Sequence, residues 1–263
     1  MTNFDRQQLS LCGIRLDALR GSDLIELIGS ARSTHRKLLI LNHNLHSLYL
    51  YQTNRTFRDA YEQASCVYID GMPVIWLARA AGFDVGPEHR ITFLDSFETI
   101  LTAAAEKGWR VFYLGSTEAT LQEGLAKLRS SHPRLIIDGR NGYLGADLQD
   151  APAAIAQVNA FAPDLLFVGM GMPTQELFLA RHFADLKTCA ALTSGATLDY
   201  VTGAAYKPPA WAGPLGLYGV LRLLSSPRRL WRRYLLEPIV LLASLGPAIL
   251  QQRRGRPLAR QRA

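Results

Sequence analysis

The sequence predicts an α/β fold: a Rossmann-like, mostly parallel sheet with helices on both faces, followed by a C-terminal helical basic appendage. Two observations predict it. Short apolar runs rich in β-branched and aromatic residues alternate with longer amphipathic stretches, the pattern of strands joined by crossover helices in a sheet covered on both sides. Charge also separates along the chain. Residues 1–203 hold 18 Lys/Arg against 21 Asp/Glu, whereas residues 204–263 hold 11 against Glu237 alone. At 263 residues and 48% hydrophobic the chain can bury a large core. The composition changes at "AAYKPPAWAGPLG", which divides an α/β catalytic body (1–203) from a basic appendage (204–263).

Strands are predicted at "KLLIL" (37–41), "CVYI" (66–69), "RVFYL" (110–114), "RLIID" (134–138), "DLLFVG" (164–169) and "CAALT" (189–193). Each is a short apolar run rather than a long periodic one. Helical patterns fill 95–107, 118–130, 151–161 and 174–186. Residues 1–34 offer only an amphipathic start, and 245–263 a cationic end. No repeat of 20–50 residues is visible. Cys12, Cys66 and Cys189 are odd in number and form no CxxC, which fits a reducing compartment. "MTNFDRQQLS" has no apolar signal region. "LLEPIVLLASLGPAIL" falls short of the ~20 residues that a membrane span needs and is interrupted by Glu237, Pro238 and Pro247, so it is expected to dip into a membrane surface rather than cross it.

In such a sheet ligands bind beyond the carboxyl ends of the strands. That edge collects Asn42 and Asn44, Asp70, Gly115 and Ser116, Gly169 to Glu176, and Gly195 and Thr197. In "YIDGMPVIW", Asp70 at a strand mouth suits a general base and equally suits a helix cap or Asp-Gly turn. "VGMGMPTQELF" places Gly169 and Gly171 before a helix start whose N–H groups can receive phosphate or a sugar hydroxyl; Gln175 can read a base or sugar edge, and Glu176 lies in the first turn. The plainer reading is a glycine-permitted strand-to-helix turn. In "FYLGSTEATLQ", Ser116 or Thr117 either caps a helix or meets phosphate. "RITFLDSF" brings Arg90, Thr92 and Asp95 together, as a pyrophosphate clamp or a surface ion pair.

The absences narrow the chemistry. There is no Asp-x-Asp, HExxH, clustered Cys/His, GxxxxGK[ST] or GxSxG, and the glycine pattern lacks the third member of a dinucleotide fingerprint. No metal and no cofactor are expected, so a departing diphosphate must be stabilised by arginines and helix termini.

"SSPRRLWRRYLLEPIVLLA" (225–243) starts with a Ser226 cap and Pro227 in the first turn. Arg228, Arg229, Arg232 and Arg233 form one arc at ~100° per residue, opposite Leu230, Trp231, Tyr234 and Leu235. The expectation is a basic amphipathic helix lying on an anionic membrane surface, with arginines at lipid phosphates and Trp231 and Tyr234 at head-group depth. The plainer reading packs the apolar arc on the body and solvates the arginines. Nucleic acid is not expected as a partner, because stacking aromatics are not interleaved with the basic residues.

The ordered set "NHN" (42–44), "IDGMPV" (69–74), "RITFLD" (90–95), "VFYLGS" (111–116), "PDLLFVGMGMPTQE" (163–176), "SGATLDYVTGAAYKPPAW" (194–211) and "RLLSSPRRLWRRYL" (222–235) resembles the WecG/TagA/CpsF glycosyltransferases of family 26. The resemblance covers about residues 35 to 235. It implies metal-independent, inverting transfer from a UDP-sugar to a polyprenyl-diphosphate-linked sugar by a peripheral protein on the cytoplasmic face of the inner membrane. Asp70 matches the family's proposed base. Asn44, Arg90 and Gln175 match pocket positions, and Asn42 stands where many members have Thr. Arg222, Arg229 and Arg232 match appendage arginines that reach the nucleotide diphosphate. Phe93 stands in place of a frequent Gly, Thr174 in place of Lys, and "GLYGVLRL" (216–223) in place of a Glu-Trp-containing segment. "LNHNLHS" and "RITFLD" point toward the xanthan-type branch, β-1,4-glucosyl transfer from UDP-glucose in exopolysaccharide biosynthesis, with N-acetylmannosaminyl or N-acetylmannosaminuronosyl transfer as the alternative. A homo-oligomer stays open. Two rival classes remain: a nucleotide-cofactor oxidoreductase, and a non-enzymatic lipid-binding module that uses only the tail.

Overall fold

A computed structural model describes residues 7–255. The chain opens with an antiparallel hairpin, β1 (Gln7–Leu11) and β2 (Ile14–Ala18). Cys12 and Gly13 form its two-residue turn, with φ of 51° and 86°, the left-handed pair that follows the natural strand twist. Helix α1 (Gly21–Ser33) leads to β3 (Leu38–His43), α2 (Leu45–Thr53), α3 (Arg55–Glu62), β4 (Cys66–Ile69) and α4 (Met72–Ala80). Then come α5 (Phe93–Glu106), β5 (Arg110–Gly115), α6 (Glu118–Ser131), β6 (Ile136–Arg140), α7 (Ala151–Phe161), β7 (Leu165–Gly169), α8 (Thr174–His182), β8 (Ala190–Thr193) and α9 (Thr197–Thr202).

The eight strands form one sheet in the order β1-β2-β4-β3-β8-β7-β5-β6, parallel except for the first hairpin. This is the mostly parallel α/β sheet that the alternating pattern predicts. The strands are buried on both faces. Val111 and Tyr113 belong to one core, while Phe112 and Leu114 belong to the core on the other side. The hairpin is the part that strand spotting missed: its apolar residues alternate with polar ones, as suits an edge, instead of running continuously. The predicted strand at 134–138 begins two residues later, because parallel pairing aligns Ile136 with Arg110.

Strand order reverses between β3 and β8. From β3 the chain moves outward to β4, whereas β8 is reached from β7 on the other side. The carboxyl ends of these neighbours therefore open a crevice, the usual ligand position in such sheets.

Beyond residue 203 the chain returns across that crevice as α10 (Tyr218–Ser225) and α11 (Pro227–Arg254). In α11 the turn over Arg232–Leu236 is widened to i→i+5 bonding, with the Glu237 N–H reaching the Arg232 carbonyl. Pro238 follows, with no N–H to donate and a ring that would collide with the preceding turn of a regular helix; the wide turn accommodates it. At 28 residues and a mean hydropathy of 1.5 over its most apolar window, α11 has the length and composition to cross a membrane. It instead lies along the body. Leu241, Leu245 and Ile249, spaced four apart, are buried in a third core with Leu9, Leu11, Ile75 and Ala78. Ser244 Oγ donates to Gln52 at 2.6 Å, and Gln252 donates to the Ser10 carbonyl at 2.6 Å.

Candidate active site

The crevice holds a cleft of about 460 Å³, floored by the ends of β3, β4 and β8 and roofed by α10 and α11. Asp70 follows β4 and is partly exposed to the cleft. Its Oδ2 accepts hydrogen bonds from Asn42 Nδ2 at 3.1 Å and Asn44 Nδ2 at 3.2 Å. Both amides are turned by their other ends. Asn42 Oδ1 accepts the Thr193 hydroxyl at 3.0 Å. Asn44 Oδ1 accepts the Ser47 N–H at 3.1 Å, so Asn44 caps α2 while its NH₂ faces the carboxylate. With its oxygens so occupied, neither amide can present anything but a donor to Asp70.

Burial raises the Asp70 carboxyl above its usual range, and the Asn44 amide, the Thr92 hydroxyl and the Arg233 and Arg90 guanidiniums pull it back down. An anionic oxygen with two fixed donors, beside a cleft under cations, is arranged to accept a proton. Asp70 does not cap α4; that place is taken by Gly71 at φ 106°. His43, beneath this group, is stacked on Tyr61 at 4.3 Å and bonds Ser47 Oγ at 3.0 Å. Burial and then Arg15 push its imidazole down to about 3, so it is neutral scaffolding.

The glycine turns after β7 and β8 are joined by one side chain. Gln175 Oε1 accepts the Gly171 N–H at 3.2 Å and the Gly195 N–H at 3.1 Å, so these donors are already used. Gly171 and Gly195 have φ of 81° and 56°, where glycine carries no steric cost. Gln175 Nε2 in turn donates to Glu176 Oε1 at 2.7 Å. Glu176 is fully buried behind the cleft wall, and burial pushes its carboxyl up to about 7. Gln175 thus lines the cleft, while Glu176 backs it. Thr197 also lines it, with its hydroxyl donated to the Ser194 carbonyl at 2.5 Å.

Gly115 and Gly169 answer to packing. A Cβ on Gly115 would come within 2.5 Å of the Gly169 carbonyl oxygen, and one on Gly169 within 2.7 Å of the Gly195 carbonyl oxygen. Ser116, at φ 59°, stands with Gly169 and Gly171 in a neighbouring hollow toward Asp199, not in the cleft.

The roof turns arginines of the tail helix toward the cleft. Arg229, Arg232 and Arg233 line the cleft with Arg222, whose guanidinium lies 5.5 Å from the Tyr200 ring centre. Arg233 thereby lines the cleft with Asp70 and acts on its carboxyl. Trp231, Leu235, Leu236, Ile239, Val240 and Leu242 are exposed on the outside. Leu230 is buried, Tyr234 is half-buried and Arg228 is exposed, near a separate hollow with Ser226.

Further polar ties hold the roof beside the cleft. His46 Nδ1 and Glu237 Oε2 are 2.6 Å apart. Asp95 bonds Arg90 Nη2 at 2.7 Å and accepts the Tyr218 hydroxyl. Asp95 therefore braces α10 against α5 and lies outside the cleft lining, while Arg90 and Thr92 face an apolar lobe that adjoins Asp70. Thr193, His46, Tyr200, Tyr218 and Glu237 were not singled out from sequence. Glu237 carried the best available signal, as the lone acid of a strongly cationic segment.

The profile described as "Glycosyl transferase WecG/TagA/CpsF family" matches residues 9–256. The chain is similar to N-acetylglucosaminyldiphosphoundecaprenol N-acetyl-beta-D-mannosaminyltransferases. It is 27% identical to that of Bacillus subtilis over 185 residues, 70% of each protein. With that of Staphylococcus aureus strain MW2 it shares 24% over 227 residues, 86% of this chain and 87% of the relative. These relatives carry the N-acetylmannosaminyl specificity, so the expected xanthan-type glucosyl transfer, with UDP-glucose and exopolysaccharide, finds no support in them. With nearly all of its described length matched, the protein belongs to the WecG/TagA/CpsF family of glycosyltransferases.

Proposed function

We propose that the protein moves an N-acetylhexosamine, N-acetylmannosamine by likeness to its relatives, from a UDP-sugar to N-acetylglucosamine carried on a polyprenyl diphosphate. The observation that carries the reading is Asp70, held by two oriented amide donors at the floor of a cleft whose roof supplies Arg222, Arg229, Arg232 and Arg233. Asp70 takes the proton of the acceptor hydroxyl as its oxygen bonds to the anomeric carbon. The bond from that carbon to the diphosphate oxygen breaks on the opposite face, and UDP leaves with the electron pair. Arg222, Arg229 and Arg232 offset its charge, the work a metal does in other transferases.

The same helix provides a means of working at a lipid surface. Arg229, Arg232 and Arg233 line the cleft while Trp231, Leu235, Leu236, Ile239, Val240 and Leu242 are exposed on the outside, with exposed Trp211 and Leu224 in the preceding segment. An exterior of this kind suits in-plane docking on the leaflet that holds the acceptor.

The test is purified full-length protein with farnesyl-diphosphate-linked N-acetylglucosamine and either UDP-N-acetylmannosamine or UDP-glucose, with and without EDTA. Disaccharide formation with release of UDP from the N-acetylmannosamine donor is expected. Preference for UDP-glucose overturns the donor assignment, and no transfer from either overturns the reading.

A further inference from the structure

Asp70 lies where two hollows meet. Gln175, Ser194, Gly195, Arg229 and Arg232 line the cleft and not the lobe beside it. Met72, Pro73, Arg90, Tyr218 and Tyr234 line only the apolar lobe beneath α10. Asp70, Asn44, Thr92, Arg222 and Arg233 belong to both. Inverting transfer needs the nucleophile and the leaving group on opposite faces of one carbon, so a base at such a junction implies a substrate on each side.

We infer that the apolar lobe is the acceptor subsite, where Arg90 and Arg233 receive the diphosphate of a lipid-linked sugar and the lobe's mouth receives the start of its hydrocarbon chain. This rests on the transfer reading proposed above.

Three features favour that occupant over a second nucleotide. The Arg90 side chain is nine-tenths buried, and its Nε has no hydrogen-bond partner although Asp95 holds Nη2. A buried guanidinium N–H left open is costly unless a ligand completes it, and a phosphate oxygen is a natural partner. The remaining lining is mostly apolar, with Leu45, Met72, Pro73 and Leu94 offering no edge for a base to pair with. The lobe also runs toward exposed apolar surface. Gly216 backs directly onto Trp76, which is 48% exposed, and Leu215 beside it is 59% exposed. A hydrocarbon chain leaving the lobe there would meet the exposed side chains of Trp76 and Leu215.

In the step itself, the acceptor hydroxyl enters from the lobe and loses its proton to Asp70. Its oxygen bonds the anomeric carbon of a donor lying in the cleft, and the donor's carbon–oxygen bond breaks toward Arg229 and Arg232. No oxidant or further reactant is required.

The experiment compares wild type, Arg90→Gln and Arg229→Gln. Arg90→Gln is expected to raise the KM for farnesyl-diphosphate-linked N-acetylglucosamine about tenfold, the loss of one charge-assisted contact, with the KM for the UDP-sugar within about threefold. Arg229→Gln is expected to show the reverse split. Isothermal titration with farnesyl diphosphate gives a readout that needs no turnover: binding to wild type persists in saturating UDP, falls with Arg90→Gln and is absent for farnesol. Displacement of farnesyl diphosphate by UDP, or equal weakening of both substrates by Arg90→Gln, overturns the subsite. Transfer with an unmoved acceptor KM in Arg90→Gln overturns the subsite alone. Binding of farnesyl diphosphate beside UDP without any sugar transfer overturns the transfer reading alone.

Discussion

Thr193, the last residue of β8, donates its hydroxyl across 3.0 Å to the side-chain oxygen of Asn42 near the end of β3. The bond spans the point where strand order reverses, and it decides which way the Asn42 amide faces. Thr193→Val keeps the shape and frees the amide to turn its oxygen toward Asp70. Loss of one such bond is worth about 1 kcal/mol, so kcat should fall roughly fivefold, with recovery in Thr193→Ser. Unchanged kcat in the valine variant would show that the amide orientation does not matter to turnover.

Asp70→Asn should lower kcat by about 10²–10⁴-fold while UDP affinity, read by titration, stays within about threefold. In wild type the base must be ionised. Burial places its pKa above the usual carboxylate range, so kcat/KM should decline as pH falls through that raised value. Arg233→Met removes the first of the cations holding it down and should move this acid limb to higher pH. A limb that stays put would exclude Arg233 from the environment of the base.

Glu176 links pH to stability. Its carboxyl titrates at about 7 in the fold, against 4.5 as the ordinary value. Between those values the folded chain binds more protons than the unfolded one, so stability falls as pH rises. The contribution is fully present below about 4.5 and lost by about 7, of the order of 3 kcal/mol in all. Glu176→Gln should flatten the dependence of Tm on pH across this window and be the more stable protein at pH 8. Parallel Tm curves for the two proteins would contradict this.

The outward face of α11 can be tested without touching the cleft. Changing Leu235, Leu236, Ile239 and Leu242 to Ser should reduce co-sedimentation with anionic vesicles by an order of magnitude or more, since each buried leucine-sized side chain is worth about 1.5–3 kcal/mol. Turnover on a water-soluble acceptor should persist. Undiminished vesicle recovery would place the membrane contact elsewhere.

The sheet was legible because parallel strands are buried on both faces and read as unbroken apolar runs; "CVYI" and "DLLFVG" could hardly be anything else. The strand-end rule then brought Asn42, Asn44 and Asp70 to one edge before any contact was known. Other features had no local signature. The strand-end rule puts Glu176 on the ligand edge with its neighbours, yet whether a helix start faces the cleft or its back depends on how β7 and β8 lie together. The helical wheel puts four arginines opposite Leu230, yet Leu230 lines the cleft beside Arg229, Arg232 and Arg233 while Arg228 lies outside it, because a wheel does not say which way a helix turns. That depends on Leu241, Leu245 and Ile249, which lie beyond the basic segment and dock on the first hairpin.

That docking joins the first described strands to the last described turns of α11. Gln252 spans the hairpin turn, accepting the Cys12 N–H at 2.8 Å and donating to the Ser10 carbonyl, so the first strands and the last helical turns form one unit assembled from sequence about 240 residues apart. Deleting the C-terminal helix would strip the cover from Leu9, Leu11 and Ile75 as well as removing the roof. Loss of activity in a chain cut short before Leu241 would therefore report an unravelled sheet edge before it reported anything about lipids.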